Sequence, residues 1–249
     1  MDKFPLEIVI PVYNEGENLI KLLHLLEQYV KTDFKVLICY DQDDDDCFKF
    51  KERIEKFKFD VEFVKNSSKG PCSAIKKGLY YSNSDCVIVY PADDILNCDI
   101  IDLMFEKFKN GNDVVVASRF VEGGSMKGCP LLKSILVRLA SFTLYYLSSI
   151  PVKDASNGFR LFSRKLLDTV NVQSTVGFSY SLELLAKCHR LRLNIAEVPA
   201  QWEERSEGSS RFKIFKWLPA YLRWYFYGIC TTWFNMNEKS VIKSKRNEQ

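Results

Sequence analysis

Leu6-Glu7-Ile8-Val9-Ile10-Pro11-Val12-Tyr13-Asn14-Glu15 is the stretch that decides the fold. A short apolar run over 6–11 is what a strand buried on both faces requires, and a polar, turn-prone stretch follows it at once. Asn14 and Glu17 have the spacing of a capping box, and Leu19, Leu22, Leu23 and Leu26 share one face of the helix it would open. The same order recurs along the chain. Runs rich in β-formers lie at 36–40, 61–64, 87–90 and 114–117, with helical patterns near 48–58, 72–82 and 98–109 between them. Such alternation predicts an α/β fold with a mostly parallel central sheet and helices on both faces. Ligands of such sheets bind beyond the carboxyl ends of the strands, so the chemistry is sought in the polar residues just after each run.

The bulk properties narrow the classes. Hydrophobic residues make up 47% of the 249 and charged residues 27%, a globular composition. A net charge of +3 is too small for a nucleic-acid partner. The eight cysteines are scattered with no CxxC pair, which argues against structural zinc and for reduced thiols in a cytoplasmic setting. With His24 and His189 the only histidines, chemistry falls to carboxylates, arginines and lysines. Nothing at the start reads as a signal peptide.

Pro11 and Tyr13 at the end of the first strand can make a stiff wall for a base to stack on, although such pentapeptides also serve as ordinary turns. After the second strand, Tyr40-Asp41-Gln42-Asp43-Asp44-Asp45-Asp46 offers carboxylates to a nucleobase N–H or a ribose hydroxyl, or simply a solvated loop that caps the next helix. The same acids have calcium-loop spacing, but Asp46 stands where that loop needs glycine. Gly70, Ala74 and Gly78, four apart, let a helix approach the sheet closely. The fourth strand ends in Tyr90-Pro91-Ala92-Asp93-Asp94, whose adjacent carboxylates suit Mg²⁺ or Mn²⁺ bridging a diphosphate, or cap the following helix.

Taken in order, these motifs resemble the family-2 inverting glycosyltransferases of GT-A fold. Ser118–Gly124 is similar to the family's arginine strand, and Asp154-Ala155-Ser156-Asn157-Gly158-Phe159-Arg160 to its acceptor segment. Gly177-Phe178 with Glu183, Glu197-Val198-Pro199, and Arg205 with Gly208–Arg211 complete the order found in dolichol-phosphate mannosyltransferase-like enzymes. The resemblance covers about residues 5–215. It implies a nucleotide-diphosphate sugar donor held by Pro11, Tyr13, Glu15, Asp41, Asp43 and Ala92, with a GDP or UDP carrier. It implies a metal at Asp93, phosphate contacts at Arg119, Arg205 and Arg211, and catalytic parts for Asp93, Asp94, Arg119 and Arg205. Pro91 occupies the place of the first aspartate of the family's Asp-x-Asp, which leaves Asp94 as a second metal carboxylate. Arg211 stands where relatives often have lysine.

A hydroxyl acceptor needs a general base, and Asp154 and Glu183 are the only candidates, with a structural role as the alternative for each. A lipid phosphate is already an anion at neutral pH. The favoured acceptor is therefore a polyprenyl or dolichyl phosphate, with a glycan hydroxyl as the alternative. A non-catalytic nucleotide-sugar-binding homologue is a further one. Residues 131–149 and 212–234 are apolar and aromatic-rich, and the second holds three of the four tryptophans among basic residues. Neither reaches about 20 uninterrupted apolar residues, so an amphipathic attachment to the cytoplasmic face of a membrane is expected rather than a span, with packing on the sheet or in a dimer as the alternative. The expected layout is a catalytic domain over 1–212, in halves 1–118 and 119–212, followed by aromatic-rich helices and a basic tail over 213–249. The oligomeric state is left open.

Overall fold

The computed structural model describes residues 4–204 and 214–236. Its centre is a seven-stranded sheet. Strands β1 (Leu6–Pro11), β2 (Phe34–Tyr40), β3 (Asp60–Lys65), β4 (Cys86–Val89) and β5 (Val114–Ser118) fall where the apolar runs place them. With β7 (Arg160–Ser163) and β8 (Ile195–Pro199) the spatial order is β3-β2-β1-β4-β7-β5-β8. Every pairing is parallel except those of β7, which runs antiparallel between β4 and β5. Residues from both sequence halves thus share one sheet. A small second sheet pairs β6 (Ser125–Lys127) with β9 (Gln201–Glu203).

Helices cover both faces. Leu19, Leu22, Leu23 and Leu26 of α1 (Gly16–Tyr29) are fully buried with Ile8, Ile10, Val36 and Ile38 in one of the two apolar layers. The other layer includes Ala74, Ile75 and Leu79 of α3 (Pro71–Tyr81) and Leu184, Leu185 and Cys188 of α7 (Ser179–Arg190). The close-approach reading of the small residues holds at Gly78, where a Cβ would lie 2.5 Å from Val9 Cγ1 and 2.8 Å from Cys39 Sγ. Gly70 differs. It precedes the helix with φ +103° and an open surround, so it serves the turn. Gly78→Ala is expected to lower stability by about 1 kcal/mol. The overpacking cost of about 1–3 kcal/mol exceeds the roughly 1 kcal/mol that alanine adds in helix propensity, and urea denaturation checks the sign.

Two local expectations are corrected. The helical pattern near 48–58 is a 3-10 turn (Asp46–Phe50) running into the four-residue α2 (Lys51–Ile54). The Asn14/Glu17 capping box does not form, because donors at the start of α1 are met from elsewhere: Asp45 Oδ2 accepts from Asn14 N and Asp46 Oδ1 from Gly16 N, each at 2.9 Å. Asn14 itself takes φ 52°.

α4 (Ile101–Lys109) adds Ile101 and Met104 to the α1 layer, and α6 (Arg164–Thr169) adds Leu166 and Leu167 to the other. Outside the sheet, α5 (Leu131–Ser148) packs against α8 (Ile214–Trp233). Their seam is polar in places: Tyr225 Oη donates to Thr143 Oγ1 at 2.7 Å, Trp233 Nε1 donates to Leu147 O at 2.8 Å, and Thr232 Oγ1 bonds Ser148 O. The outward side of α5 is apolar. Leu131 is 76% exposed and Phe142 60%, with Leu132, Ile135, Leu136, Leu139 and Tyr146 exposed beside them. By length and composition alone, the 18-residue α5 is long and apolar enough to cross a membrane.

Candidate active site

The strand order reverses between β2-β1 and β4, so the crevice outside the carboxyl ends of β1 and β4 is where the topology puts a ligand. Pro11 closes β1 opposite Cys39, and Val12 N donates to Cys39 O at 2.9 Å, which carries the chain over the sheet edge. Tyr13 then stands 48% exposed. Glu15 accepts from Asn18 Nδ2 at 2.7 Å.

Asp41, just past β2, is held from two sides. Asn66 Nδ2 donates to its Oδ1 at 2.9 Å, and Gly70 N, ahead of α3, donates to its Oδ2 at 2.7 Å. Each oxygen keeps a second acceptor direction, so a fixed carboxylate remains able to receive an N–H or O–H. Asp43 is exposed and pairs through Oδ2 with Lys65 at the end of β3, a surface ion pair. Asp45 caps the 3-10 turn through Cys47 N at 3.0 Å while holding Asn14. Asp41, Asp43 and Asp45 thus serve three different partners and do not form a calcium loop.

Beyond β4, Ala92 is buried and Asp93 is exposed at the rim. Asp94 does not join it. Its Oδ1 accepts from Leu96 N at 2.9 Å, and both oxygens accept from Asn97 Nδ2, at 2.9 and 2.7 Å. Burial pushes its pKa up to about 6, aided by the charge of Asp93 and opposed by those hydrogen bonds. The expected role of Asp94 as metal carboxylate is therefore corrected to that of a turn-former. Buried Asn97 extends the tie by exchanging hydrogen bonds with Gln201 N at 2.7 Å and Gln201 O at 2.8 Å. Among the described residues no three His, Cys, Asp or Glu side chains come together. What fits is a hard cation held by Asp93 with diphosphate and water oxygens, the style in which Mg²⁺ is usually bound.

Arg119 follows β5 and is clamped by Asp154. Nε donates to Asp154 Oδ2 at 2.6 Å and Nη2 to Oδ1 at 2.8 Å, while the Arg119 backbone N donates to Oδ2 at 3.0 Å. Ser156 adds its N–H and hydroxyl to Oδ1. Asp154 is wholly buried, which would raise its pKa, but the Arg119 charge and these bonds outweigh burial and hold it below the usual carboxylate range. Arg119 and Arg138 both lie over the Phe120 ring, 5.2 and 4.7 Å from its centre.

Glu183 is also fully committed. It accepts from Gln173 N at 2.6 Å, Ser174 N at 2.7 Å and Lys187 Nζ at 2.5 Å, and so holds the loop before α7. Neither candidate base has a carboxylate oxygen free of such duty, so both are reassigned as structural groups. Arg205 and Arg211 lie outside the described residues. Asn97 enters the site unannounced by any motif, and for Ser156 and Asn157, already within the acceptor segment, only the folded turn shows what their side chains reach.

The mostly parallel central sheet flanked by helices is the GT-A architecture. The sequence profile of glycosyl transferase family 2 matches residues 7–170, and the chain belongs to that family. It is 26% identical over 220 residues to a dolichol-phosphate mannosyltransferase from Pyrococcus furiosus, spanning 85% of this chain and 61% of that protein. It is 25% identical over 217 residues to a dolichyl-phosphate beta-glucosyltransferase from Trichomonas vaginalis, spanning 80% of this chain and 66% of that one. The chain thus covers less than two thirds of the length of these relatives. In fold it is similar to glucosyl-3-phosphoglycerate synthase from Mycobacterium tuberculosis, solved with Mn²⁺, UDP and glucosyl-3-phosphoglycerate. The TM-score is 0.64 at 16% identity, over 97% of this chain and 82% of that one.

Proposed function

We propose that the chain moves a sugar, with inversion, from a GDP- or UDP-linked donor to a polyprenyl or dolichyl phosphate at a membrane surface. The observation that carries this reading is the exposed apolar face of α5, which follows the Arg119 loop and would bring an isoprenoid tail and the bilayer to the site. The names of the curated relatives support the same acceptor class.

Tyr13 and Asp41 would meet the base and ribose, the ring by stacking and the carboxylate by accepting. Asp93 would hold a divalent ion on the diphosphate. When bound, that ion neutralises charge on the leaving group. Arg119, fixed by Asp154, would face an anionic oxygen with its remaining N–H groups. Attack then comes from the acceptor's own phosphate oxygen, opposite the departing diphosphate, with no proton to remove. This agrees with the commitment of Asp154 and Glu183 to structural bonds.

The test is to incubate purified protein with labelled GDP- and UDP-sugars, Mn²⁺ and a short polyprenyl phosphate, and to follow label into the organic phase. Label appearing there supports the reading, whereas donor binding with label passing only to soluble saccharides would contradict it. The surface claim has its own check. Ile135→Asp with Leu139→Asp puts two charges on the exposed face, one turn apart. The pair is expected to abolish sedimentation with phosphatidylcholine/phosphatidylglycerol vesicles while changing stability by no more than about 0.5 kcal/mol per site.

A further inference from the structure

Arg160 opens β7 and has no exposed surface. A guanidinium in such a place usually has a carboxylate beside it, because an unpaired buried charge is costly. Here three backbone carbonyls take that part. Nε donates to Asn157 O at 2.8 Å, Nη2 to Ala155 O at 2.7 Å, and Nη1 to Ser181 O at 2.5 Å. Burial draws its pKa down to about 10, so it stays charged at neutral pH. Two of the carbonyls belong to the loop between Asp154 and Phe159, and that loop is gripped at further points. Tyr180 Oη donates to Gly158 O at 2.9 Å, Asn157 Nδ2 donates to Ala117 O at 2.7 Å, and Glu197 accepts from Lys153 N and Asp154 N. The carbonyls of Ala155, Asn157 and Gly158 are therefore all bound to inward partners.

Interleaved with these carbonyls are Asp154 and Ser156, the two groups that clamp Arg119. Of the Arg119 guanidinium, Nη1 has among the described residues only Met126 Sδ, at 3.8 Å, as acceptor. A thioether is a weak acceptor that an anionic oxygen would displace. We propose that Arg160, helped by Tyr180, is a positioning residue: by gathering the loop carbonyls it sets Asp154 and Ser156, and so holds Arg119 in one orientation with Nη1 toward the acceptor phosphate. The proposal rests on the reading of Arg119 as a phosphate ligand given above. Lysine cannot replace the fork, since one ammonium would have to reach three carbonyls that the planar guanidinium meets from separate nitrogens.

The test uses Arg160→Lys and Tyr180→Phe in the full chain, well below their melting temperatures. Tyr180→Phe removes one hydroxyl and keeps the ring, so it carries the test if Arg160→Lys fails to fold. Two readouts are taken: solvent exchange of the Arg119 Nε–H by ¹⁵N NMR, and steady-state kinetics with polyprenyl phosphate alongside UDP and GDP binding. Faster Nε–H exchange in the variants is expected, with an acceptor KM raised by about tenfold and nucleotide affinity unchanged. Unchanged exchange in a folded variant would overturn the positioning role, whatever the acceptor. Faster exchange together with a wild type that gives no lipid product would uphold the positioning role and defeat the acceptor reading instead. Faster exchange with an acceptor KM like that of wild type would leave Arg160 a structural residue and overturn the proposal.

Discussion

Replacing Asp93 by alanine is expected to lower sugar transfer by about two to three orders of magnitude, the loss typical of removing a preorganised electrostatic partner of developing charge. Pro91 carries no acid, and Asp94 is consumed by Leu96 and Asn97, so Asp93 is the one carboxylate of the turn after β4 at the exposed rim. Because the side chain is exposed, the substitution should move stability by no more than about 0.5 kcal/mol. The checks are initial rates with Mn²⁺ present and a thermal melt. Asp94→Ala should give the opposite profile, with a loosened turn and a lower melting temperature at milder cost to rate. Equal rate losses in the two variants would return Asp94 to the metal site.

Asp154→Ala is the substitution expected to cost most in stability. It strips a fully buried carboxylate from Arg119, whose side chain is only 10% exposed, and leaves an uncompensated charge. Such losses run at about 3–5 kcal/mol, against total stabilities of about 5–15 kcal/mol for a domain. The pH dependence has a definite sign. The pKa of Asp154 is depressed in the folded state, so its contribution is complete above the unfolded value of about 4. That contribution is lost as pH falls through the folded value. The stability gap between wild type and Asp154→Asn should therefore be full at neutral pH and close as the medium is acidified below about pH 4. Denaturant midpoints at stepped pH measure it. A gap that stays constant would mean that the Arg119–Asp154 charge pair adds nothing to the fold.

The strands at 36–40 and 114–117 were readable because parallel strands buried on both faces must be nearly continuous apolar runs, and these are. β7 was not, because its four residues begin with an arginine and read as a motif. Only the chain's return between β4 and β5 makes them a strand. Local spacing also misassigned the start of α1. Asn14 and Glu17 fit a capping pattern, but Asp45 and Asp46, some thirty positions away, reach the same donors. In the site, Asp93 was singled out by its place after a strand and Arg119 by the family resemblance alone. Helix capping by Asp94 and structural roles for Asp154 and Glu183 were open alternatives, but their partners were not legible, since hydrogen bonds made through space leave no periodic trace. Arg205 and Arg211 lie outside the described residues, so their phosphate contacts remain a proposal drawn from resemblance.

In the proposed reaction the acceptor supplies its own nucleophile, since the two carboxylates considered as bases are committed elsewhere. The direct measurement compares a short polyprenyl phosphate with the alcohol of the same chain length, under one donor and one Mn²⁺ concentration. Product from the phosphate and none from the alcohol is the predicted result. Comparable transfer to the alcohol would contradict it and would require a general base.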